Sequence, residues 1–99
     1  MNVMKNQNGT ILNIALEGRL DASTAPKLEE ALKDCLDSMS ELTIDVAKLD
    51  YISYAGLSVL LSSYKKVRKK GGLKVKSPNE TVKEVLNATG FADLLTIDD

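Results

Sequence analysis

The apolar period of this chain switches repeatedly between 2 residues and about 3.6, and that alternation restricts the fold more than any other feature. Leu12, Ile14 and Leu16 recur at every second position, as do Leu42, Ile44 and Val46. Between these runs Leu28, Ala31, Leu32, Cys35, Leu36 and Met39 fall at helical spacing, while Lys27, Glu29, Glu30, Lys33, Asp34 and Asp37 occupy the other face. Leu57, Leu60, Leu61, Tyr64 and Val67 make a second helical stripe, and Val82, Val85 and Leu86 a third. Leu73 to Lys76 is a short strand near an edge, and Leu94 to Ile97 a last one. A weak first strand around Val3 to Gln7 is set off from Thr10 to Glu17 by Asn8-Gly9, a type I′ hairpin signal. Gly18 is expected to break the second strand, and Ile11 and Ala15 to give it a partly covered second face.

The helix boundaries are also marked. Ser23 or Thr24 can cap the first helix ahead of Pro26, and Ser53 the second. Ser77-Pro78-Asn79-Glu80 reads as a capping box with proline at the first helical position. Gly71-Gly72 and Gly90 stop the second and third helices. The order is therefore β-β-α-β-α-β-α-β. Strands separated by helices need crossovers, which predicts an α/β fold. The sheet is largely parallel, with an antiparallel hairpin at the start. A chain of 99 residues can bury one core, so residues 1–99 are expected to form a single domain.

Several functions are excluded by composition. With no histidine, Ser-His and Cys-His nucleophiles and imidazole metal ligands are impossible, and Cys35 alone can neither pair nor replace them. Its place on an apolar stripe makes it a small core residue. Neither a GxxxxGK[ST] loop nor a GxGxxG fingerprint occurs. No metal or cofactor is expected. Thirteen basic and fourteen acidic residues balance, so there is no global attraction to nucleic acid or anionic lipid. The run Lys65-Lys66-Val67-Arg68-Lys69-Lys70 suits a helix C-terminus, where cations are favoured, better than a nucleic-acid contact. No apolar run can span a bilayer, and Met1 to Gly9 lacks the core of a secretory signal, which predicts a cytoplasmic protein.

Two segments remain as candidates: the polar loop Gly18 to Thr24, and Leu49 to Leu61, which leads from an apolar segment into a helix N-terminus. Asp21 suits either a turn hydrogen bond or a partner contact. Ser53 suits a cap. Gly56 near a helix start costs roughly 1 kcal/mol relative to alanine, which a close backbone approach would explain. Tyr54 beside it should be exposed, and exposed aromatics favour interfaces. The residues point to partner binding, not catalysis.

Gly18-Arg19-Leu20-Asp21-Ala22-Ser23-Thr24, followed by Leu49-Asp50-Tyr51-Ile52-Ser53-Tyr54-Ala55-Gly56-Leu57, resembles the STAS domain of bacterial anti-sigma factor antagonists. Gly71-Gly72 and Asn87-Ala88-Thr89-Gly90-Phe91 fit the same pattern. The resemblance implies a STAS-like mixed sheet flanked by helices, and partner switching. The antagonist binds an anti-sigma factor, commonly an ATP-dependent serine kinase, frees a sigma factor, and lets go once phosphorylated; a phosphatase is the further partner of such a cycle. It implies a contact surface of Arg19, Asp21, Ser23, Thr24, Ser53, Tyr54 and Gly56. The family's acceptor serine stands two residues before the glycine, and here that residue is Tyr54. A phenol places its oxygen a ring-length beyond a serine hydroxyl, so control is expected to be absent or atypical, with Ser53, then Ser58, as substitute acceptors. The alternative is a structural subunit of a transporter-associated or signalling complex.

Overall fold

Strand β1 (Asn2–Asn8) turns back into β2 (Ile11–Leu20) through Gly9-Thr10. After α1 (Ala25–Lys33) come β3 (Glu41–Ile52), α2 (Tyr54–Val67), β4 (Gly72–Lys76), α3 (Glu80–Ala88), a 3-10 turn (Phe91–Asp93) and β5 (Thr96–Asp98). This is a computed structural model describing residues 1–33, 38–94 and 96–98. The expected element order holds. Among the described residues the sheet has the order β1-β2-β3-β4-β5, antiparallel between β1 and β2 and parallel elsewhere. Cys35 and Leu36 of the expected first stripe, Asp34 and Asp37 of its polar face, and Leu95 of the last strand lie outside the described residues.

One face of the sheet carries the core. Leu12, Ile14 and Leu16 of β2, Leu42, Ile44 and Val46 of β3, and Leu73 and Val75 of β4 are all buried there. Leu28 and Leu32 of α1, Leu57, Leu60 and Val67 of α2, and Val82 and Leu86 of α3 join the same cluster. Burying a leucine or isoleucine is worth about 1.5–3 kcal/mol. A one-residue slip of β2 would turn all three of its core residues outward, at a cost comparable to the whole stability of a small domain. On the other face Asn13, Ala15, Thr43, Asp45 and Lys74 are only half-buried and Ile11 is 37% exposed. That second face carries neighbouring strand side chains rather than helices.

The differences from expectation lie at boundaries. Asn8 pairs with Ile11, so the hairpin loop is Gly9-Thr10, one residue later than Asn8-Gly9 implied. Gly9 alone has positive φ (66°), which matches a type II′ rather than a type I′ turn. Gly18 does not end β2, which continues to Leu20. Nor does β3 end at Val46. Two register shifts against β2, between Ala15 and Glu17 and between Gly18 and Arg19, give β3 extra residues, and Leu49 and Ile52 still face the core. The third helix is capped by Asn79, not Ser77. The Asn79 side chain accepts the Val82 N–H at 2.8 Å and donates to the Leu49 carbonyl at 3.0 Å, tying α3 to β3. Ser77 instead donates its N–H to the Asp98 carbonyl, closing the end of β4 against β5. Pro78 therefore precedes the cap rather than opening the helix. On α2, Val59 and Ser63 are buried, whereas Leu61 and Tyr64 of the expected stripe are only partly so.

Candidate partner-binding site

The two candidate segments meet where β2 and β3 end side by side. Leu20 pairs with Ile52, and the next residue, Ser53, donates its N–H to the Leu20 carbonyl at 2.8 Å. Helix α2 begins immediately after, with Ser53 as its cap and its hydroxyl accepting from the Gly56 N–H at 3.5 Å. Gly56 is buried. A Cβ placed on it would stand 2.5 Å from Leu20 Cγ, 2.9 Å from Cδ2 and 3.1 Å from the Leu20 carbonyl oxygen. The close approach expected at this glycine is therefore to the chain's own β2. Gly56 thus lets the start of α2 sit directly against Leu20.

Asp21 organises the first segment. Its Oδ1 accepts the N–H of Ser23 at 3.0 Å, the Ser23 hydroxyl at 2.7 Å and the N–H of Thr24 at 3.2 Å. Its carbonyl accepts the Ala25 N–H at 2.8 Å. The Thr24 hydroxyl accepts from the Asp21 N–H at 2.9 Å and donates to the Arg19 carbonyl at 2.8 Å. Ser23 and Thr24 thus spend their polar groups on the turn, which leads α1 off the strand at a fixed angle. The Ser23 hydroxyl bond, with the backbone N–H groups of Ser23 and Thr24, holds the Asp21 carboxyl below its ordinary value against a smaller opposing effect of burial.

That depression makes a prediction. A carboxylate whose folded-state pKa lies below its unfolded value stabilises the fold at higher pH, and loses that contribution as pH falls through the folded value. In thermal unfolding, Asp21→Asn should lie below the parent by a constant interval above about pH 5, and the two should converge toward about pH 2. A gap that persists unchanged in strong acid would remove the carboxylate from the turn.

Arg19 lies on strand β2 and not in a loop. It pairs with Tyr51 on the sheet face away from the core, its guanidinium 4.9 Å from the Tyr51 ring centroid and its Nε 3.9 Å from Asp21 Oδ2. The side chain is 64% exposed, so the carboxylate contact adds little stability, and the ring restricts where the charge sits. Tyr51 was not singled out from the sequence, because its role depends on a cross-strand register. Tyr54 opens α2 and is 77% exposed, more than any other large hydrophobic among the described residues. The Ser58 hydroxyl donates to the Tyr54 carbonyl at 3.0 Å. The site thus presents the Asp21 turn, the half-buried Ser53 and the Tyr54 ring around one strand end, with Arg19 and Tyr51 round the corner. Among the described residues no group of three or more His, Cys, Asp or Glu could hold a metal, and no helix is long and apolar enough to cross a membrane.

Comparison with known proteins agrees with this architecture. The STAS domain model matches residues 2–99. The anti-sigma-B factor antagonist of Bacillus subtilis is 32% identical over 98 residues, covering 98% of this chain and 88% of that protein. The anti-sigma-B factor antagonist of Listeria monocytogenes is 28% identical over 98 residues, covering 95% and 84%. The crystal structure of an anti-sigma factor antagonist from Mycobacterium paratuberculosis aligns with a TM-score of 0.88 at 23% identity, covering 98% of this chain and 84% of that one. The phosphorylated form of the Bacillus cell fate determinant SpoIIAA aligns with a TM-score of 0.76 at 13% identity, covering 99% and 92%. At those identities the two structures speak to the fold alone. The family model spans nearly the whole chain and a Bacillus antagonist aligns along its length, so this chain belongs to the STAS domain family, among the anti-sigma factor antagonists, which are regulators and not enzymes.

Proposed function

We propose that this protein works in the cytoplasm by binding an anti-sigma factor of the serine-kinase type and so releasing a sigma factor. The observation that carries the proposal is the continuity of the site. The Asp21 turn and the α2 start share Leu20 as a common support, and Tyr54 stands out from it as an exposed aromatic. A turn and a helix start already hydrogen-bonded in place, with a projecting tyrosine, have less to order on binding and suit a hot spot.

The same geometry supports atypical control. Tyr54 takes the place of the family's acceptor serine, and the neighbouring Ser53 hydroxyl is directed to the Gly56 N–H of its own helix. Binding without a phosphorylation cycle, and without need of a phosphatase, is the expected behaviour. The test mixes the protein with kinase-type anti-sigma factors from its own genome, with and without ATP, followed by calorimetry and mass spectrometry. One of them should bind and release its sigma factor, and the complex should survive ATP with Ser53 and Tyr54 unmodified. Stoichiometric phosphate on either residue would overturn the regulatory half of the proposal, and binding to none of them would overturn all of it.

A further inference from the structure

The site continues into a groove that the candidate residues do not include. Between α1 and α2 lies an open cleft of about 590 Å³, floored by Ala25, Leu32 and Val59. At one end it starts at Ala22, inside the Asp21 turn, and at Ala55, next to Tyr54. At the other end stand Lys33 and Lys66, near the C-terminal ends of the two helices, with Glu29 one turn before Lys33 on the same wall. From Ala25 to Lys33 the helix rises about 12 Å, and from Ala55 to Lys66 about 16 Å. That is the length of two to three turns of a third helix.

We propose that this groove is the apolar half of the partner surface and takes an amphipathic helix of the anti-sigma factor, with acidic residues at the end that reaches Lys33. The inference rests on the functional reading above and names the chemistry of the partner. Ala22, Ala55, Ser58 and Ser62 leave room along the walls, so an incoming helix can bring larger apolar side chains there. The cleft is open along its length, which suits a helix laid across it better than a ligand to be enclosed. The charges supply direction: the turn and Tyr54 mark one end, Glu29 stands midway on the α1 wall, and Lys33 closes the other end, so acidic partner residues are favoured past Glu29 and not beside it.

The test uses the anti-sigma factor that binds in the calorimetric titration, with three variants of the whole protein. Ser62→Trp fills the groove from an exposed position on α2, two turns away from Tyr54. Lys33→Glu reverses the charge at the far end. Tyr54→Glu reports on the turn. With thermal unfolding near the parental value, Ser62→Trp should weaken binding at least about tenfold. Lys33→Glu should weaken it about three- to tenfold, and by less as salt is raised. If Ser62→Trp and Lys33→Glu both stay within about twofold while Tyr54→Glu weakens binding, the groove proposal falls and the antagonist reading stands. Parental affinity in all three overturns both. A dimer in sedimentation without the anti-sigma factor, dispersed by Ser62→Trp, would assign the groove to a second copy and overturn the proposal.

Discussion

Replacing Gly56 by alanine is expected to destabilise the domain by about 1–3 kcal/mol, although alanine is the better helix former by about 1 kcal/mol. The reason is space. The new methyl would lie 2.5 Å from Leu20 Cγ and 3.1 Å from the Leu20 carbonyl oxygen. Cγ is a branch point rather than a flexible tip, and the carbonyl holds the Ser53 N–H at 2.8 Å. Relief therefore requires α2 to lift from β2, which breaks the bond that seats the helix. For a domain of this size the midpoint of thermal unfolding should fall by several degrees, about 4–8 °C per kcal/mol. A double-mutant cycle isolates the contact. Leu20→Ala alone should cost about 2–5 kcal/mol as a cavity, and the pair should cost less than the two singles added, by at least about 0.5 kcal/mol. Strict additivity would show that the two residues do not press on one another. Anti-sigma binding by Gly56→Ala should weaken as well, because the start of α2 moves with it.

Gly56 also shows how far the chain could be understood from its residues. A glycine at a helix start signalled a close approach, and the approach exists. What came near it could not be read, because Leu20 is 36 positions away in the chain. The strand ends hid for a related reason. Val46, Leu49 and Ile52 are spaced by three, which imitates a turn or a helix, and only pairing with β2 reveals that two register shifts convert that spacing into strand. Arg19 and Tyr51 meet through the same shifted register. Local signals fared better: Leu28 and Leu32 on α1, Val82 and Leu86 on α3, the strand alternation in Leu12–Leu16 and Leu42–Val46, and the cap at Ser53 all rest on neighbours within four residues. The α2 stripe was legible only in part, with Val59 and Ser63 buried in place of Leu61 and Tyr64. At Ser77 a valid local signal lost to a distant one. The capping box was sound chemistry, but the end of β5 claimed the Ser77 backbone and the cap moved to Asn79.

Tyr54→Glu should separate stability from binding, moving them in opposite directions. The position opens α2, where a carboxylate meets the positive end of the helix dipole, and the first turn of α2 has no acidic residue. Stability should rise by about 0.3–1 kcal/mol, and the gain should shrink in salt. At 77% exposure the ring loses few internal contacts when removed, so nothing in the core opposes that gain. Affinity for the anti-sigma factor should fall about thirtyfold or more, the loss of about 2 kcal/mol expected when a central aromatic anchor is removed. Tyr54→Ala then divides the effect. If the ring is the anchor, alanine should weaken binding nearly as much as glutamate. Should alanine bind like the parent while glutamate does not, the surface tolerates a small residue and rejects a charge, as a phosphorylation-controlled site would. Unchanged affinity in both variants, with the fold intact, would place the partner surface away from the start of α2. The measurement is calorimetry paired with chemical denaturation on the same protein batches, so that a lost complex is never mistaken for a lost fold.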